Sequence, residues 1–193
     1  WAKASVDTVS KELKVSLSEN TSGHLRADYI KYQVEAVTDS LIVKQFDFDK
    51  DIAGEYVFAY YDFNEDTKLE LQTVRAKLSR TELAIPEMGL VFPVSINEET
   101  GSVETRSSQY LGKFGKYYIY DTFLDTDALG YVGSESGLLS ATLKYSEEYG
   151  TYGFFGGTAY TINNKTGEFL AMLLQTFKAK SASEANYYND FCW

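Results

Sequence analysis

Three segments of this chain carry one turn pattern between β-like runs. They are Tyr61-Asp62-Phe63-Asn64-Glu65-Asp66-Thr67-Lys68, Val94-Ser95-Ile96-Asn97-Glu98-Glu99-Thr100-Gly101 and Tyr160-Thr161-Ile162-Asn163-Asn164-Lys165-Thr166-Gly167. Asn at the start of a turn bonds its own backbone two residues on. Gly after the Thr supplies the positive φ that closes a hairpin with a bulge. Two of the three segments have that Gly, and Lys68 stands in its place in the other. A fourth hairpin is expected to join 138–145 to 152–155 through Ser146-Glu147-Glu148-Tyr149-Gly150. Four local hairpins commit the chain to antiparallel pairing between sequence neighbours.

The runs between the turns agree. Leu13-Lys14-Val15-Ser16-Leu17 alternates, and β-rich stretches follow at 25–37 and 41–48. In 56–63, Tyr56, Phe58, Tyr60 and Asp62 face one way and Val57, Ala59, Tyr61 and Phe63 the other. A strand apolar on both faces is expected in the centre of a layered fold. Helix signals are few. Residues 5–14 read as weakly helical, and 73–83 fits strand or helix. Leu170, Leu173, Leu174 and Phe177 have helical spacing, but Gly167 has just closed a hairpin, so a returning strand over 168–178 is expected. Ser181 and Glu184 have the spacing of a capping box, which predicts a short C-terminal helix through Tyr188. The fold class is therefore all-β: an antiparallel sandwich or barrel of about 8–11 strands with hairpin and meander connections and that short helix. Residues 1–193 read as a single β-rich domain, and any joint would fall near 105–112.

Composition removes several classes of function. The net charge is -10, against nucleic acid or an anionic membrane as the main partner. One Cys makes no intramolecular disulfide, and one Cys with one His makes no His/Cys zinc site. No run approaches the roughly 18 apolar residues of a transmembrane helix. The chain opens Trp1-Ala2-Lys3 with no apolar leader and no initiator Met, which reads as a processed or trimmed chain. With its acidity and scarce Cys, it is expected to be secreted or at the cell surface.

Candidate chemistry is sparse. Asp47, Asp49 and Asp51 alternate, with Glu55 beyond, as in loops that aim several oxygens at Ca²⁺. The full calcium-loop signature is absent, and the bland reading is a solvated acidic turn. Calcium at these four residues is the one ion considered; otherwise no cofactor is expected. His24 has no Gly-x-Ser-x-Gly nucleophile to serve, and Cys192 has no adjacent base. Asn20-Thr21-Ser22 matches a glycosylation acceptor.

Tyrosine is the informative residue, at 16 copies. Its apolar face and polar tip suit a binding surface for sugar or another flat ligand, and equally suit core packing. The candidate ligand-binding residues are Tyr117, Tyr118, Tyr120, Tyr149, Tyr152 and Tyr160. The expectation is a non-catalytic extracellular or surface protein of adhesin, filament-subunit or carbohydrate-binding type. It would meet protein or carbohydrate through an aromatic surface or a sheet edge. Self-assembly would proceed by strand addition through residues 6–17. Two alternatives stay open: a β-barrel carrier of a small apolar ligand, and a polysaccharide hydrolase using two carboxylates.

Overall fold

The computed structural model describes residues 1–63, 69–125, 131–132, 138–162 and 165–177. Strands in chain order are β1 (Ala2–Asp7), β2 (Glu12–Leu17), β3 (Arg26–Val34), β4 (Val37–Gln45), β5 (Gly54–Phe63) and β6 (Leu69–Leu78). Next come β7 (Glu82–Ile85), β8 (Leu90–Pro93), β9 (Ser95–Asn97), β10 (Ser102–Arg106), β11 (Tyr110–Phe114) and β12 (Tyr117–Asp125). The last six are β13 (Tyr131–Val132), β14 (Leu138–Thr142), β15 (Lys144–Ser146), β16 (Gly150–Tyr152), β17 (Thr158–Ile162) and β18 (Lys165–Phe177). The protein is all-β and every strand pairing is antiparallel. The strands outnumber the expected 8–11 because many are only two to five residues long. The expected helix through Tyr188 lies outside the described residues, as do the Asn64 turn, Tyr187 and Cys192.

The chain divides into two compact units. The first holds residues 1–52 and 144–152. It contains three hairpins, β1–β2, β3–β4 and β15–β16, and a tight turn over Phe48–Ile52. The helical reading of 5–14 is overturned, because Val6 pairs with Leu13 and Asp7 with Glu12. Asp7 causes this: its Oδ1 accepts from the Val9 and Ser10 amides, and its Oδ2 meets Lys14 Nζ at 2.9 Å. Residues 6–17, expected as one strand for addition to a neighbour, thus fold back on themselves through residues 8–11. Leu25, Phe48 and Ile52 form this unit's buried apolar residues.

The second unit holds residues 53–143 and 153–193. Its main sheet runs β17-β18-β12-β11-β8-β7-β6-β5, with β13 beside β12. A three-stranded sheet, β14-β10-β9, belongs to the same unit. One face of the main sheet is sealed. Leu78, Leu83, Ile85, Leu90, Phe92, Ile119 and Phe123 are buried, while their strand neighbours Lys77, Glu82 and Val91 are exposed. That alternation is the period-2 signature of a half-buried strand. Each fully buried side chain of this size contributes about 1.5–3 kcal/mol.

Turn chemistry read from sequence holds at residues 97–101. Asn97 Oδ1 accepts from the Glu99 and Thr100 amides, and Gly101 takes φ 66°. It fails at Gly167. Ile162 pairs with Lys165, and Gly167 lies inside β18 opposite Tyr160. The returning strand itself is present as β18, and 73–83 proves to be strand, split between β6 and β7. The central position expected for 56–63 is also overturned. Among the described residues β5 ends the sheet, and Val57 and Tyr61 are 74% and 56% exposed. Periodicity reports which residues are apolar, not whether a neighbouring strand or layer exists to cover them.

Candidate functional site: a tyrosine face built by a bulge

The run Tyr117-Tyr118-Ile119-Tyr120 is strongly β-forming. It enters β12 from a two-residue loop between Phe114 and Tyr117, where Gly115 supplies φ 58°. Alternation along β12 buries Ile119, Asp121 and Phe123. Tyr118 and Tyr120 fall on the opposite face, half-buried.

The partner strand β11 does not keep a simple register. Gly112, Lys113 and Phe114 pair with Ile119, Tyr118 and Tyr117, yet Tyr110 pairs with Tyr120. One residue, Leu111, is therefore extra, which is a β-bulge. In a regular ladder Tyr110 would face Asp121. The bulge instead sends Leu111 into the core and sets Tyr110 over Tyr120. Gly112 permits it. Its φ is 150°, and a Cβ there would drive into the Gly89 carbonyl oxygen. Gly89, at φ 66°, closes the turn over Pro86–Met88 and places that oxygen.

Asp121 fastens the other end of the bulge. Its Oδ1 accepts the Gln109 amide at 2.6 Å, its carbonyl accepts from Ser108 N, and its own amide donates to Gln109 O. Gln109 Nε2 in turn donates to Arg106 O and Thr105 Oγ1. Ser108 is held at φ 64°, a left-handed conformation uncommon outside glycine. The residue before Tyr110 is thus tied to the strand that carries Tyr120. Asp121 Oδ2 finds no hydrogen-bond partner among the described residues. Burial of that carboxyl pushes its pKa up to about 6, against the lowering effect of the Gln109 bonds.

The outcome is a cluster of three tyrosines. The Tyr110 ring centroid lies 5.5 Å from that of Tyr120 and 6.1 Å from that of Tyr118, with planes tilted by 53° and 47°. Such offset, tilted pairs are favourable for aromatic rings. Tyr110 is 37% exposed. Burial first, then the phenols of Tyr110 and Tyr118, raise the Tyr120 hydroxyl above its usual range. Lys113, directly across from Tyr118, holds Nζ 5.2 Å from that ring's centroid. These groups offer ring faces, phenol hydroxyls and an ammonium on one surface.

The other candidates are placed elsewhere. Tyr117 alternates onto the opposite side of β12, with Lys116 Nζ 5.2 Å from its ring. Tyr149 and Tyr152 pair edge-on at 6.2 Å in the first unit, on the β15–β16 hairpin, and Tyr149 is 69% exposed. Its hydroxyl, bonded to Glu148, has a raised pKa. Tyr160 occupies β17 opposite Gly167. Sequence reasoning missed Tyr110; its one available signal was the Gly two residues on, inside an otherwise β-forming run.

The acidic cluster is turned to internal use. Asp51 is buried, and its Oδ2 accepts from Asn20 Nδ2 and the Asp47 amide. Asp47 Oδ1 accepts from the Asp49 and Lys50 amides. Burial opposes ionisation of Asp47, but Lys50 and these amides win and lower its pKa. Glu55 lies on β5, in the second unit. Among the described residues no group of three His, Cys, Asp or Glu side chains could hold a metal. Asn20 Nδ2, the atom a glycan would need, donates to both His24 O and Asp51. His24 stacks flat on Tyr145 at 3.5 Å. No helix among the described residues is long and apolar enough to cross a membrane. No protein-family model, curated protein or solved structure matches the chain.

Proposed function

We propose that this is a non-catalytic surface-binding protein that takes polysaccharide on the face formed by Tyr110, Tyr118 and Tyr120. One observation carries the reading: a bulge held by Gly112 and Asp121 turns Tyr110 onto the partly exposed face where Tyr118 and Tyr120 already stand. Tyrosine gives large contact area at low side-chain entropy cost, with a hydroxyl at its rim for a sugar's own hydroxyls. A serine held at left-handed φ, Ser108, and a buried, half-satisfied carboxylate are costly devices, and such costs cluster at functional sites. Asp121 has the raised pKa of a general acid, but it is sealed in the core and cannot reach a substrate. We infer that this work is done outside the cell, by secretion or at the surface.

The test is affinity electrophoresis of the full chain through gels containing neutral or acidic polysaccharides. Tyr110→Ala is expected to weaken retardation about fivefold or more, the loss typical of a stacked aromatic anchor. Tyr149→Ala, on the other unit, is expected to leave it unchanged. Retardation lost with Tyr149→Ala and kept with Tyr110→Ala would overturn the reading, as would no retardation in any gel.

A further inference from the structure

The chain's acidity is not evenly spread. It has 28 acidic residues in 193, yet residues 107–120 contain none, and neither do residues 149–167. The 107–120 stretch contains Tyr110, Tyr117, Tyr118 and Tyr120, with Lys113 and Lys116. It coincides with the β11–β12 hairpin and the turn before it. Both ammonium groups sit 5.2 Å from a tyrosine ring centroid. Neither has a carboxylate partner among the described residues, whereas Lys14, Lys50, Arg75 and Arg80 all do. In a chain of net charge -10, Lys113, held on the Tyr118 ring and away from carboxylates, makes the Tyr110–Tyr118–Tyr120 face locally positive, while Lys116 sits on Tyr117 on the other side.

We propose that the β11–β12 face takes an anionic polysaccharide, its sugar rings against Tyr110 and Tyr120 and a carboxylate or sulfate group at Lys113. The proposal rests on the polysaccharide reading above and names the ligand's charge. Tyr118 holds the Lys113 ammonium from one side, leaving its remaining donors for an anion. Single-stranded nucleic acid would also combine stacking with anions. It carries a charge on every nucleotide, and a chain of net charge -10 with one lysine on this face repels it beyond the hairpin.

Isothermal titration of the full chain with polygalacturonate, dextran sulfate, neutral dextran and oligodeoxythymidylate tests this, at low and high salt. Circular dichroism confirms that the Lys113→Gln and Lys116→Gln variants are folded. Binding to polygalacturonate or dextran sulfate is expected, weakening with salt. Lys113→Gln should lower affinity about threefold, as for a partly exposed ion pair, and Lys116→Gln, on the Tyr117 side, should leave it unchanged; equal loss from the two would overturn the inference. Which of the two polymers binds tells carboxylate from sulfate. Neutral dextran bound as tightly, with no effect of the lysine variants, would overturn the inference and leave the polysaccharide reading standing. No binding of any polysaccharide would overturn both. Tighter binding of the oligonucleotide would overturn the choice of ligand.

Discussion

Replacing Asp121 with Asn isolates one buried titration. The folded carboxyl keeps its proton up to about pH 6, while the unfolded one releases it near 3.8. Between those values the folded state binds more protons, so stability falls as pH rises. The stabilising contribution is whole below pH 3.8 and gone above pH 6. The gap between the two pKa values corresponds to about 3 kcal/mol. Asn keeps the oxygen that accepts the Gln109 amide and never ionises. The two proteins should therefore match near pH 3.8. Above pH 6 Asp121→Asn should be the more stable by up to about 3 kcal/mol. Urea unfolding followed by circular dichroism across pH 4–7 reads the difference, and carboxyl NMR of the wild type reads the pKa directly. Other carboxylates titrate in both proteins and cancel. A stability difference that stays constant across this range would refute the reasoning, as would an Asp121 titration near pH 4.

Two further substitutions probe the scaffold. Gly112→Ala should cost about 2–4 kcal/mol, read as a lower urea midpoint, because φ 150° and the Gly89 oxygen both reject a Cβ. It should abolish polysaccharide retardation at denaturant-free conditions where the fold survives, and an unchanged midpoint would count against the bulge. Phe123→Ala should cost about 3–5 kcal/mol in the same assay, since Phe123 is fully buried against Leu139, Phe155 and Met172.

Local signals in the sequence described the parts of the fold that are themselves local. The Asn97 turn needs only its own five residues, and its side chain does in the structure what its chemistry dictates. The strand over 165–177 was legible because a hairpin must return. Non-local facts were not. The apolar run at 56–63 gave no sign that the sheet ends there, since edge and centre differ only in what lies beside them. Residues 5–14 looked helical because the Asp7 turn and the Lys14 ion pair that fold them back are spread over several positions. At the candidate site, tyrosine abundance and the 117–120 run were visible. The alternation of 117–120 made Tyr117 a member, although it faces the other way. Tyr110 was invisible because its place depends on a one-residue slip, and that slip depends on Gly89, more than twenty positions away.

The most direct test of the tyrosine face is aromatic proton–carbon NMR of the full chain titrated with oligogalacturonate. The ring signals of Tyr110, Tyr118 and Tyr120 should move together and saturate with the ligand, while those of Tyr149 and Tyr152 stay in place. Movement of the Tyr149 and Tyr152 signals alone, or binding that leaves the Tyr110 ring unmoved, would contradict the account.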